Sequence, residues 1–282
     1  MPILEAANEA AQSFDRTACL DHLRKAGFDD FGSVLFSLPI ERFPDLAKVL
    51  PRMATEETQE RWTSTKGREL LNQSLGIVRI FESIYWRNAK KPLSAARILD
   101  FGCGYGRLVR LMYFHQDPAS VFGCDPWENS IILCEQSGLT ANISKSDYLP
   151  DNLPYEDQSF DFIYAFSVFT HLSERATRQC LAVLRRKIKN DGVLVITVRP
   201  TEYWKHLRRL GHSDMDALEA EHRRRGFSFK PHDRAPVDGD ITYGETTMTA
   251  EYISKHFPDW KPVAVERQLI DPLQLFVTLL PK

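Results

Sequence analysis

The sequence predicts a doubly wound α/β fold: a mostly parallel sheet with helices on both faces, a C-terminal antiparallel hairpin and a helical N-terminal extension. Three observations carry this. From about residue 94 to residue 200, short β-branched runs alternate with amphipathic helical stretches, the pattern of βαβ units. Before residue 93, apolar residues recur at helical spacing. The last two strand-like runs, "KPVAVERQL" and "QLFVTLL", are joined only by "IDPL", which suits an antiparallel pair at a sheet edge.

In order along the chain, "AAQSFDRTACLDHLRKAGF" and "GRELLNQSLGIVRIFESIYWRNAK" read as helices, the second with Leu70, Leu71, Leu75, Val78 and Phe81 on one stripe. Three prolines break the "SLPIERFPDLAKVLPRM" between them. Then come the strand "ARILDF", a helix from Arg107, the strand "SVFGCD", a helix from Trp127, and the strands "ANISKS" and "DFIYAF". Ser173 caps a helix with Leu181, Leu184 and Ile188 on one face, and Asn190-Asp191-Gly192 ends it before the strand "GVLVITV". Beyond Pro200 the pattern lapses into a polar helix and the loop "SFKPHDRAPVDGDITYGE", before "MTAEYISKHF" and the hairpin. The expected division is therefore a helical extension or lid over residues 1–93 and an α/β domain over 94–282, with about 200–248 as a substrate-side insertion.

Composition bounds the function classes. The chain of 282 residues is 43 % hydrophobic, enough for a large core. The acidic, polar N-terminus is unlike a secretory signal, and no apolar run reaches the ~20 residues a membrane helix needs, so a cytoplasmic protein with no membrane contact is expected. Cys19, Cys103, Cys124, Cys134 and Cys180 are scattered without CxxC spacing, which speaks against a disulfide framework and a zinc site. A formal net charge of −2 gives no global attraction to nucleic acid.

The chemistry centres on "DFGCGYG", residues 100–106, in the loop after the first strand, where an open parallel sheet brings its ligand closest. Glycines there let backbone N–H groups approach a ligand without Cβ atoms between. The dinucleotide fingerprint GxGxxG fails by one position: counted from Gly102 and Gly104, the third glycine belongs at residue 107, which is Arg107. Asp100 would also face a pyrophosphate with like charge. Asp125 ends the second strand, 19 positions after Gly106, where a carboxylate can accept hydrogen bonds from ribose hydroxyls. Asp147 closes the third strand at the height of an adenine amine. The ligand so described has an amino-acid end, a ribose and a base, without phosphates.

On these residues the sequence resembles the class I S-adenosylmethionine-dependent methyltransferases, over roughly residues 93–200. "ILDFGCGYGRL", "VFGCDPW", "LPYEDQSFDFIYAFSVFTHL" and "LRRKIKNDGVLVIT" are similar to that family's successive motifs. The resemblance implies a Rossmann-like fold with S-adenosylmethionine as cofactor. It implies that Asp100, Gly102, Gly104 and Gly106 hold the methionine end, with Cys103 inside the loop. Asp125 and Pro126 then flank the ribose, Trp127 and Tyr148 surround the adenine, and Phe166 forms the wall after the fourth strand. "RWTSTKG" and "DGDITYGETTMTAEYI" resemble the branch that acts on small molecules such as sugars and secondary metabolites.

His171, in "SVFTHLSE" on the rim where the methyl group emerges, is the candidate catalytic base; the plainer alternative is a histidine that bonds the helix entry. Trp62 caps the expected lid over cofactor and substrate, and with His232 and Tyr243, which lie in the expected substrate wall, it is a candidate substrate residue. "LRRKIK" and "HRRRGF" read as solvated helix faces, the latter also as a clamp for an anionic substrate. The favoured function is methyl transfer to an O or N nucleophile of a small molecule. Alternatives are a protein or nucleic-acid methyltransferase, against which "AFSVF" lacks an Asn/Asp-Pro-Pro-Tyr type motif, and a non-catalytic S-adenosylmethionine-binding partner subunit.

Overall fold

The computed structural model describes residues 2–139, 142–269 and 271–282. Seven strands form one mostly parallel sheet: β1 Ile98–Phe101, β2 Val121–Asp125, β3 Ile143–Lys145, β4 Phe160–Ala165, β5 Ile188–Val198, β8 Trp260–Arg267 and β9 Leu275–Pro281. Two more, β6 Phe227–Pro231 and β7 Gly244–Met248, pair antiparallel in a sheet of their own. Ala141 of the expected third strand and Ile270 of the expected hairpin connection lie outside the described residues. No described helix is long and apolar enough to cross a membrane.

The chain forms two compact units, residues 1–96 with 103–145, and residues 97–102 with 146–282. The first holds helices α1 Pro2–Gln12, α2 Arg16–Arg24, α3 Phe28–Phe36, α4 Leu46–Val49, α5 Glu56–Thr63, α6 Gly67–Ala89, α7 Val109–Met112 and α8 Glu128–Gln136, with the parallel pair β2·β3. α6 is the expected amphipathic helix and buries Leu70, Leu71, Leu75, Val78 and Phe81. The helix expected from Arg107 is only the four-residue α7. Within it Arg110 is fully buried, and its guanidinium donates to the carbonyls of Tyr105 (3.0 Å) and Arg52 (2.8 Å) and to the Ser137 hydroxyl (3.1 Å). A buried cation thus ties three segments together.

In the second unit the strand order is β1-β4-β5-β9-β8, with β1·β4 and β4·β5 parallel and β9 antiparallel to both β5 and β8. The hairpin expected at the edge is β8·β9. Helices α9 Glu174–Lys187, α10 Glu202–Arg209, α11 Met215–Arg225 and α12 Ala250–His256 complete it. Ser173 caps α9 through the Ala176 N–H. That helix stops at Lys187 instead of at Asn190-Asp191-Gly192, because Ile188 is already extended and residues 188–198 continue as β5, with a bulge opposite Phe160 and Phe162.

The loop expected after residue 226 contains β6 and leads into β7. Their inward side chains are Ser228 and Thr247, both fully buried, and they hydrogen-bond each other (2.9 Å). The Trp204 indole N–H bonds both, at 2.8 and 2.9 Å, and His222 Nδ1 bonds Thr247 at 2.7 Å. Phe227 and Met248 are buried beside these hydroxyls, so apolar and polar positions are covered alike and the pair does not divide into an apolar and a polar face.

Candidate functional site

Three glycines follow β1, all with positive φ: Gly102 (+79°), Gly104 (+54°) and Gly106 (+74°). Their surroundings separate them. A Cβ on Gly102 would fall inside the envelope of Val168 Cγ2, and one on Gly106 inside that of Leu139 Cδ1, so packing as well as dihedral demands glycine there. A Cβ on Gly104 would meet only Trp62 Cζ3 at 3.5 Å, an ordinary contact. Gly104 therefore presents its bare face to a side chain and not to a packed core. Cys103, buried beside it, bonds its N–H to the Cys124 carbonyl at 3.0 Å.

Asp125, at the end of β2, fastens this loop. One carboxylate oxygen accepts the Gly104 N–H at 3.0 Å; the other accepts the Trp127 N–H at 2.9 Å across Pro126, and Ser130 also donates to the carboxylate. Burial pushes the carboxyl above its usual range, while the Trp127, Ser130 and Gly104 donors pull it back. Sequence reading gives Asp125 no partners, because backbone donors are invisible in it. A carboxylate offers about four lone-pair sites and three are taken, so a ribose finds the fourth or replaces Ser130.

An aromatic pair covers this corner. The Trp62 ring, from α5, stacks on Trp127 with centroids 4.8 Å apart and planes 28° apart, and lies 5.4 Å from Tyr105. Trp127 is 47 % exposed. The buried Tyr105 hydroxyl has no hydrogen-bond partner among the described residues. Open glycine face, carboxylate, orphaned hydroxyl and half-exposed indole within one unit fit a nucleoside bearing an amino-acid tail.

The second unit carries the remaining expected residues. Asp100 is buried on β1 and registers with Tyr164 of β4; Asp147 is exposed and Tyr148 half-buried; the Phe166 ring lies 5.9 Å from Phe276. His171 is clamped to the start of β7: its Nδ1–H donates to the Gly244 carbonyl at 2.8 Å, and its own carbonyl accepts the Gly244 N–H at 2.8 Å. Tyr243 stacks on the imidazole at 4.8 Å with planes 5° apart, and the exposed Arg234 guanidinium sits 4.2 Å over the other ring. The tautomer is thereby fixed, with Nε2 as the acceptor. Burial, then the nearby Arg199, depresses the His171 pKa to about 3.

His171, His232 and Tyr243 come together here, and they bring three residues that sequence reading missed. Glu245, 17 % exposed, accepts from Arg199 in a close ion pair, from the Tyr203 hydroxyl (2.7 Å) and from His232 Nε2 (3.1 Å). The Arg199 guanidinium lies 3.9 Å over the Tyr203 ring. Arg199 was findable: it directly follows β5, and the carboxyl ends of parallel strands are where ligands bind. Glu245 was hidden in a strand read as loop.

Residues 99–196 match the methyltransferase domain family. Over these residues the chain is similar to methyltransferase domains. The chain is 31 % identical over 127 residues to a phthiotriol/phenolphthiotriol dimycocerosates methyltransferase of Mycobacterium ulcerans, covering 42 % of this chain and 44 % of that protein. It is 26 % identical over 148 residues to the cyclopropane-fatty-acyl-phospholipid synthase of Escherichia coli, covering 46 % and 37 %. The matches thus span less than half the length of these curated relatives. In fold the chain resembles the PH0226 protein of Pyrococcus horikoshii (TM-score 0.53, 15 % identity, 81 % of this chain and 100 % of that one). It also resembles the glycopeptide N-methyltransferase MtfA (TM-score 0.50, 11 % identity, 82 % and 100 %).

Proposed function

We propose that this chain transfers a methyl group from S-adenosylmethionine to an O or N nucleophile of a small polar molecule, such as a sugar or secondary metabolite. The observation that carries the reading is the Gly104–Asp125 hydrogen bond, which sets a bare backbone face beside a ribose-binding carboxylate. In the first unit, Cys103, Gly104, Gly106, Asp125, Pro126 and Trp127 would hold the cofactor. Asp100, Gly102, Asp147, Tyr148 and Phe166, which the resemblance also implies for the cofactor, belong to the second unit. Residues 1–93 act as the helical extension and lid, and 200–248 as the substrate-side insertion of the domain over 94–282.

When bound, the cofactor supplies a methyl group already activated on a sulfonium, so the protein has only to orient the nucleophile, exclude water and remove a proton; good positioning contributes up to ~7–11 kcal/mol. His171 offers the Nε2 lone pair to an acceptor O–H or N–H. An imidazole held near pKa 3 orients that group but does not store its proton at neutral pH. His232, 40 % exposed and bonded to Glu245, is better placed to take the proton onward. Polar residues on this wall support a polar acceptor, whereas the names of the two curated relatives support a lipid. Calorimetry with the cofactor, followed by labelled methyl transfer into polar and lipid extracts of cells, tests both: label confined to the lipid fraction would overturn the polar reading, and cofactor binding without any transfer would favour the non-catalytic partner subunit.

A further inference from the structure

We infer that Trp62 is an internal competitor for the cofactor's base, holding the nucleoside corner closed until the cofactor displaces it; this rests on the cofactor reading above. Trp62 occupies two surfaces that a nucleoside needs: its Cζ3 lies 3.5 Å from where a Cβ on Gly104 would sit, and its ring stacks on Trp127. A planar base inserted between two indoles needs their centroids about 7 Å apart, twice a stacking contact of about 3.5 Å. At 4.8 Å they leave no room. The base therefore gains the Trp127 face only when Trp62 gives it up.

α5 is built to let go. Its one buried residue is Gln59, whose amide bonds the Ala54 carbonyl (2.7 Å) and the Gly67 N–H (3.0 Å), contacts that water replaces readily. Trp62 is the helix's only large apolar side chain. Left-handed residues, Ser64 (φ 60°) and Gly67 (φ 55°), mark the turn into α6. A short polar helix anchored by one indole is released when that indole loses its seat, so cofactor binding is coupled to freeing α5. The order in which cofactor and acceptor bind then depends on this helix.

Competition has a sign that a clamp does not. Calorimetric titration with S-adenosylhomocysteine should give Trp62→Ala an affinity roughly threefold to tenfold tighter than wild type, the range that releasing one aromatic pair implies. If the two indoles instead sandwich the base, the same variant binds more weakly, which overturns the inference, as does an unchanged affinity. In the wild type the ligand should raise acrylamide quenching of tryptophan emission, and this rise should vanish in Trp62→Phe, which keeps an aromatic ring for folding. A rise that persists in Trp62→Phe places the moving tryptophan elsewhere and also overturns it. No binding by wild type or any variant sinks the cofactor reading itself, and the inference with it.

Discussion

The Asp125 corner of the first unit and the Glu245 cluster of the second both centre on a carboxylate, yet they use it oppositely. Asp125 accepts from two backbone N–H groups and a serine hydroxyl, all neutral donors, and so keeps its charge for the loop and a ligand. Glu245 accepts from a guanidinium, a phenol and an imidazole, and spends its charge on Arg199. The first arrangement orders a backbone that a cofactor can read. The second neutralises a buried cation and leaves His171 and His232 as the titratable face, so removing each carboxylate should break something different.

Glu245→Ala should have the largest effect. It strands a guanidinium that is only 13 % exposed, and breaking a buried ion pair costs about 3–5 kcal/mol. Chemical denaturation should show that loss, with cofactor affinity of the remaining folded protein unchanged. Asp125→Ala should do the reverse: about 1.5–3 kcal/mol of cofactor binding lost by calorimetry, from hydrogen bonds to a charged acceptor. Because Gly104 and Trp127 also lose their acceptor, a smaller drop in Tm should accompany it. An Asp125→Ala protein that binds normally would erase the contrast.

The glycines sharpen it further. Gly106→Ala collides with Leu139 and should cost about 2–3 kcal/mol of stability by overpacking and dihedral strain together. Gly104→Ala adds no collision and should cost about 1–2 kcal/mol, while weakening cofactor binding more than its stability loss suggests. Equal stability losses would mean that packing does not distinguish the two.

An effect absent at neutral pH is the pH dependence set by His171. Its folded pKa of about 3 lies below the value of about 6.5 for a free histidine, so on acidification the unfolded chain takes up the proton first. Stability is therefore full above pH 6.5 and falls as the pH drops through the window down to about 3, by ~1.4 kcal/mol per pH unit for this one group. His171→Asn, whose side-chain amide can still donate to Gly244, should flatten the fall in stability between pH 6 and pH 4.5 by about one proton.

What was legible in the sequence was what backbone conformation and strand ends dictate. Gly102, Gly104 and Gly106 take the positive φ values that only glycine adopts cheaply, and Asp125 stands where a strand ends. The illegible parts share one cause, a polar group whose partner is distant in sequence. Arg110 reaches the carbonyl of residue 52; Ser228 pairs with Trp204 and Thr247; Glu245 meets Arg199 across 46 positions. Hydrophobic periodicity reports what is buried without a partner, and it is silent where burial is bought with a hydrogen bond.

The central claim is that the corner built by Gly104 and Asp125 receives a nucleoside with an amino-acid tail and no phosphates. Titration of the wild-type chain with S-adenosylhomocysteine and, separately, with NAD tests it most directly. Saturable one-to-one binding of S-adenosylhomocysteine, weakened roughly tenfold to a hundredfold in Asp125→Ala, with no heat from NAD, is the predicted result; tight NAD binding with none of S-adenosylhomocysteine would contradict it.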